Sequence, residues 1–119
     1  MPVRLVTLLA LLALAGCGSA GAPVKADDRR AQITLDDYTI RPQDLTVKSG
    51  KLTVTVSNEG RLGHTFRIRG RNKNVLAFET LQPGETKSRT FRLGRGTYTM
   101  YCALANHEEL GMYGTLVVG

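Results

Sequence analysis

The sequence predicts an all-β domain, a small antiparallel β-sandwich or barrel of about seven to eight strands. Three observations predict it. Apolar residues alternate with polar ones at a period of two through several short runs. Clusters of Gly, Pro, Asn and Asp separate those runs. No stretch holds a helical period with caps, although "ALANHEEL" (Ala103–Leu110) suits one short turn.

In chain order, "QITLDDY" puts Ile33 and Leu35 on one face, and "KLTVTVSN" alternates Leu52, Val54 and Val56 with Lys51, Thr53 and Thr55. "HTFRIR" puts His64, Phe66 and Ile68 on one face, with Thr65, Arg67 and Arg69 on the other. "TFRL" supplies a further run, "GTYTMYC" sets Tyr98, Met100 and Cys102 opposite Thr97, Thr99 and Tyr101, and "GTLVV" supplies the last. The intervening turns are "RPQD", "KSGK", "NEGRLG", "QPGE" and "LGRG". Gly111 and Gly114 read as turn residues.

The first part of the chain has a different character. "MPVR" is a short basic start, and Leu5–Leu14 is an uncharged apolar run of ten residues. That is too short to span a bilayer as a helix but suits the core of a secretory signal. The run closes on "LAGC", which resembles the lipobox of bacterial lipoproteins; by that resemblance Cys17 is lipidated and becomes the new N-terminus. "GSAGAPVKADDRR" (Gly18–Arg30) is small, polar and aperiodic, as expected of a flexible tether. The expected division is a signal peptide over 1–17, a tether over 18–30 and one domain over 31–119, lipid-anchored outside the cytoplasm at the bacterial cell membrane, on its periplasmic side or at the cell surface.

Only Cys17 and Cys102 are present among 119 residues. If Cys17 carries lipid, Cys102 is a lone thiol in an exported protein and needs burial or a metal to protect it. Without Arg4 the mature chain carries 15 − 10 = +5. The charges are interspersed, with a mild cluster at Arg67–Lys73 and no aromatic ladder, so nucleic acid is not an expected partner. A weaker reading of the charge is attraction to an acidic partner or to anionic lipid.

The chemistry concentrates near the end. In "YCALANHEELGM", four residues separate Cys102 from His107, and four more separate His107 from Met112. Strand parity points Cys102 inward, and likewise His64, the other of the two histidines. Thiolate and imidazole suit copper in both oxidation states, and a thioether is a weak soft ligand. Two His and one Cys with a distant Met make the blue-copper arrangement. Zinc is a poorer match, because it rarely recruits a thioether.

On "NEGRLGH" (Asn58–His64) and "YCALANHEELGM" (Tyr101–Met112), the chain from about Ile33 to Val118 resembles the cupredoxins, the small type 1 copper proteins. The loop spacing is similar to that of rusticyanin and auracyanin. The resemblance implies a Greek-key fold, one copper per chain, and His64, Cys102, His107 and Met112 as its ligands. It also implies that His107 lies near the surface, in an apolar patch with Leu62, Ala103, Leu104 and Leu110. Many members carry Asn after the first ligand His, tying the two ligand loops together; here Thr65 stands there and Ala103 follows the Cys, which leaves the bonds near the sulfur open.

The function this implies is one-electron transfer between redox protein partners, by a monomer that is not an enzyme. The alternative is a copper-binding protein that stores, senses or delivers the metal. Two His residues cannot build a multi-copper oxidase cluster. An inward Cys without an oxyanion loop is poorly placed as a hydrolytic nucleophile.

Overall fold

The computed structural model describes Val24–Lys25 and residues 29–119. Among these residues there are ten strands and no helix: β1 (Val24–Lys25), β2 (Arg30–Asp36), β3 (Thr39–Arg41), β4 (Asp44–Val47), β5 (Gly50–Asn58), β6 (His64–Arg69), β7 (Asn74–Leu81), β8 (Thr86–Leu93), β9 (Gly96–Tyr101) and β10 (Tyr113–Val118). They form two facing sheets, β1-β4-β10-β9-β6-β7 and β3-β2-β5-β8. The all-β sandwich is the expected one, with two additions. The sheets are mixed, since β1–β4, β4–β10 and β2–β5 are parallel pairs. The strand count is higher because β1, β3, β4 and β7 carry no long alternation.

Period-two patterning builds the interior. In β5, Leu52, Val54 and Val56 are buried against the other sheet. Their outward neighbours pair with β8 through hydroxyl contacts: Thr53–Thr90 at 2.8 Å, Thr55–Ser88 at 2.5 Å and Ser57–Thr86 at 2.9 Å. One core cluster runs from Ala31 to Val118 and includes Leu35, Phe66, Ile68, Met100 and Leu116. Every residue of that cluster lies between Ala31 and Val118.

β7 and β8 are the sheet edges that meet at one seam. Lys87 Nζ donates to the Thr80 carbonyl at 3.3 Å, and an Arg89 guanidinium N–H donates to the Ala77 carbonyl at 2.9 Å. Val24–Lys25, inside the stretch expected to be tether, runs along β4. Gly114 is not in a turn. It lies buried within β10, where a Cβ would strike the Gln43 carbonyl.

Four chain segments converge on one end of the sandwich. They are the turn after β2, the start of β6, the end of β9 and the loop from Ala103 to Met112 that leads into β10.

Candidate metal centre

His64 opens β6 and Cys102 follows β9, both facing inward as strand parity predicts; they are 0% and 1% exposed. Cys102 Sγ lies 4.0 Å from His64 Nδ1 and 3.6 Å from His107 Nδ1, and the two Nδ1 atoms are 3.2 Å apart. All three potential ligand atoms fall within 4.8 Å of one another. Met112 is fully buried in the same core cluster.

The loop that carries three of the four residues is held by its own backbone. Cys102 N–H donates to the Met112 carbonyl (3.1 Å) and Met112 N–H to the His107 carbonyl (3.0 Å). His107 N–H donates to Leu104, Leu110 N–H to Asn106 and Gly111 N–H to Glu108. These are turns, as "ALANHEEL" suggested, and not a helix. Gly111 has φ +126°, and a Cβ there would sit 3.0 Å from the Tyr38 carbonyl, so only glycine fits the approach to Met112. Arg69 forks onto both Glu108 carboxylate oxygens and lies over the Tyr101 ring at 4.3 Å. That cover, with the Tyr101 hydroxyl donating to Asn74 Oδ1 at 2.8 Å, leaves outward-facing Tyr101 only 8% exposed.

His64 is oriented from behind. Its Nε2 is 2.6 Å from Asp37 Oδ1. With Nε2–H donated to the carboxylate, a neutral His64 ring carries its lone pair on Nδ1, facing Cys102 and His107. The Asp37 carboxyl is held below its ordinary value, first by the Arg61 backbone N–H (2.8 Å), then by His64 and the Leu62 N–H, against some desolvation. Asn58, 1% exposed, completes the frame. Its amide donates to the Leu62 and Leu81 carbonyls, and its oxygen accepts from Gly60 N–H. The Tyr38 ring meets His107 edge-on, with centroids 5.1 Å apart.

The open question beside the sulfur has a structural answer. Thr65 Oγ1 accepts from Ala103 N–H at 2.8 Å and lies 3.7 Å from Cys102 Sγ, to which its hydroxyl can donate. One hydroxyl thus ties β6 to the ligand loop.

Two imidazole Nδ1 atoms and a thiol converging where His64 and Cys102 are buried and His107 half-buried, with a thioether on the same short loop, fit copper by donor type. The folded chain itself brings these donor atoms together.

A model of the cupredoxin-like domain matches residues 5–118. The chain belongs to the cupredoxin-like family. Among solved structures, auracyanin from Roseiflexus castenholzii superposes on this cupredoxin with a TM-score of 0.71 at 21% identity, covering 79% of this chain and 99% of that one. The matched part is therefore nearly a complete solved chain in its own right. Rusticyanin from Thiobacillus ferrooxidans gives a TM-score of 0.66 at 17% identity, covering 86% and 85%. The iron uptake system component EfeO of Yersinia pestis is 31% identical over 94 residues, which is 79% of this chain and 25% of that protein. The cupredoxin thus spans about a quarter of the length of the curated relatives it matches.

Asp37, Asn58, Tyr38 and the Arg69–Glu108 pair went unread in the sequence. "LDDY" offered a faint signal, because an acid one step past an alternating strand falls at the sheet's end, but exposed acids are common there.

Proposed function

We propose that this cupredoxin is a type 1 (blue) copper electron-transfer protein, with His64, Cys102, His107 and Met112 as the ligands of one copper. The observation that carries the reading is the preformed cluster of three donor atoms within 4.8 Å, on buried His64 and Cys102 and half-buried His107. Bound copper would supply one-electron exchange between Cu(I) and Cu(II). The chain supplies rigidity. Asp37 fixes the His64 ring, Thr65 braces the Cys102 loop, and the Met112–Cys102 and Met112–His107 backbone bonds set the loop's shape. A site that does not rearrange needs little reorganisation when its charge changes. His107 is half-buried, with Leu62 (43% exposed) and Leu110 (51% exposed) available as an apolar rim for docking redox partners.

Cys17, its signal peptide and most of the tether lie outside the described residues. Their sequence supports a lipid-anchored protein on the outer side of a bacterial membrane; that the domain acts as a monomer and not as an enzyme is part of the same proposal. Labelling cells with radioactive fatty acid tests the anchor. Wild type should be labelled and Cys17→Ala unlabelled; an unlabelled wild type removes the lipid reading.

The test of the site uses residues 24–119 and Cu(II). An intense blue or green colour from the Cys102 thiolate is expected, lost in His64→Ala and Cys102→Ser. A pale wild-type site with ordinary tetragonal EPR parameters would show the ligand set to be wrong. The alternative function, copper storage, sensing or delivery, gains support from the similarity to a component of a metal uptake system. It predicts rapid surrender of Cu(I) to a chelator and slow electron exchange with a soluble mediator; electron transfer predicts the reverse.

A further inference from the structure

We propose that Arg69 is a positioning residue for the metal centre: its fork onto Glu108 clamps the ligand loop shut and thereby sets how fast a bound metal leaves. The inference rests on the copper reading above and adds how that site is controlled. A preformed site needs its loop fastened to the sandwich by something other than the metal. The loop's own turns do not do this. Among the described residues, the backbone hydrogen bonds of residues 104–111 stay within 104–113. Ala105 holds φ +42°, in the left-handed region, which a residue with a Cβ keeps only where its surroundings impose it.

Side chains supply the fastening. Leu104 packs against the core. His107 reaches His64, Cys102 and the Tyr38 ring, which are the metal centre and its rim. Glu108 is different, because its partner Arg69 belongs to neither. Arg69 works as an arm. Its backbone pairs with Thr99, three residues before Cys102. From there the guanidinium reaches back along the outer face of the sheet, over Tyr101, to the residue that follows His107. The Tyr101 ring is a fixed rest for it, buried and bonded through its hydroxyl to Asn74. A planar guanidinium can lie on the ring and fork onto the carboxylate at once, which an ammonium cannot. The Arg69 and Glu108 side chains are 41% and 35% exposed, so water and salt reach the pair and it can let go.

His64 and Cys102 are buried, so the member of the cluster nearest solvent is half-buried His107. Held Glu108 leaves its chain neighbour His107 little room to swing away; released Glu108 leaves the turns unbraced. This role predicts something that charge alone does not. Glu108→Gln removes a negative charge near the metal, and Arg69→Gln removes a positive one. Through charge alone, the first would loosen a bound cation and the second would tighten it. Through the clamp, both loosen it equally, because either change empties the same fork.

Stopped-flow release of Cu(I) from the full chain, in mild detergent, to excess bathocuproine disulfonate tests it. Arg69→Gln and Glu108→Gln should each release the metal about fivefold faster, the upper end for a partly exposed ion pair. The double variant should be no faster than either single one, and Arg69→Lys should fall between wild type and Arg69→Gln. Added salt should speed release from wild type and leave the double variant unchanged. Reduction potentials should follow charge instead, falling in Arg69→Gln and rising in Glu108→Gln. Release rates that move in opposite directions, or effects that multiply in the double variant, would overturn the clamp. Amide exchange at Leu110 and Gly111 in the metal-free chain separates this inference from the copper reading. It should quicken in both single variants, with Val54 and Val56 unchanged. A wild type that stays colourless with Cu(II) while those amides respond would sink the copper reading and leave the clamp. A blue wild type whose variants release copper at the wild-type rate would sink the clamp and leave the copper reading.

Discussion

Thr65→Val is the substitution that separates the hydroxyl's two roles from its bulk. Valine matches threonine in shape, and Thr65 is only 4% exposed, so the packing is kept and the oxygen is lost. Two contacts go with it. The first is the 2.8 Å bond from Ala103 N–H. An orphaned, largely buried donor costs about 1–3 kcal/mol; Ala103 itself is exposed enough for water to help, which places the expected loss near 1 kcal/mol. For a domain of this size that is a fall of about 4–8 °C in Tm.

The second contact is the donation to Cys102 Sγ, long at 3.7 Å. A bond to a charged sulfur is worth about 1.5 kcal/mol at the low end, and only the difference between oxidation states moves the potential. If half of that is differential, the shift is roughly 30 mV, at 59 mV per tenfold in a one-electron couple. The reduced site carries more electron density at sulfur and gains more from the donor, so the potential should fall in Thr65→Val. Thr65→Ser keeps the hydroxyl and loses a buried methyl. It should lose about 0.8 kcal/mol of stability with no change in potential. Thermal unfolding, voltammetry and hydrogen exchange at the Ala103 amide read the three effects. A valine variant with unaltered potential and unaltered Ala103 protection would refute the bracing role.

Met112→Leu should raise the potential and Met112→Gln lower it, each by about 59 mV, because the oxidised metal loses more than the reduced one when a donor is withdrawn and gains more from a harder oxygen. Colour should be kept in both, and voltammetry beside wild type decides the signs. Asp37→Asn removes a negative charge that favours the oxidised site through His64, so the potential should rise. Its effect without metal is also directional. The folded Asp37 carboxyl binds its proton more weakly than the unfolded one does, whose ordinary value is 3.8. Its contribution is therefore complete above that pH and disappears as pH falls through the lower, folded value. Acid titration of the metal-free domain should show a steeper loss below about pH 3.8 in wild type than in Asp37→Asn.

The parts of the site set by strand parity were legible in the sequence. Period two alone puts His64 with Phe66 and Ile68, and Cys102 with Met100, on buried faces, and all five are buried. What parity could not reach were contacts made across the end of the sandwich. Asp37 and His64 are 27 residues apart and meet only because β2 runs parallel to β5, which leads into the loop before His64. β7 escaped notice for a local reason. Leu76 and Phe78 keep the alternation, but the next buried residue is Leu81, since a register shift between His64 and Phe66 displaces the pairing. Thr65 was visible as a departure from the pattern of similar proteins. Its double bonding was not, because that needs the Ala103 amide to arrive from a distant loop.

The seam between β7 and β8 bears on what an approaching chain would meet at these sheet edges. An open strand edge is a template on which another chain can add a strand, and a sandwich has such edges wherever its sheets end. Here Lys87 and Arg89 project from β8 and occupy two carbonyls of β7, while Arg89 also lies 5.2 Å over the Phe78 ring. Acceptors that an incoming strand would need are already taken by side chains of the same molecule, and any approaching backbone would have to displace a cation from them. The seam is thereby protected against edge-to-edge aggregation without a covering helix.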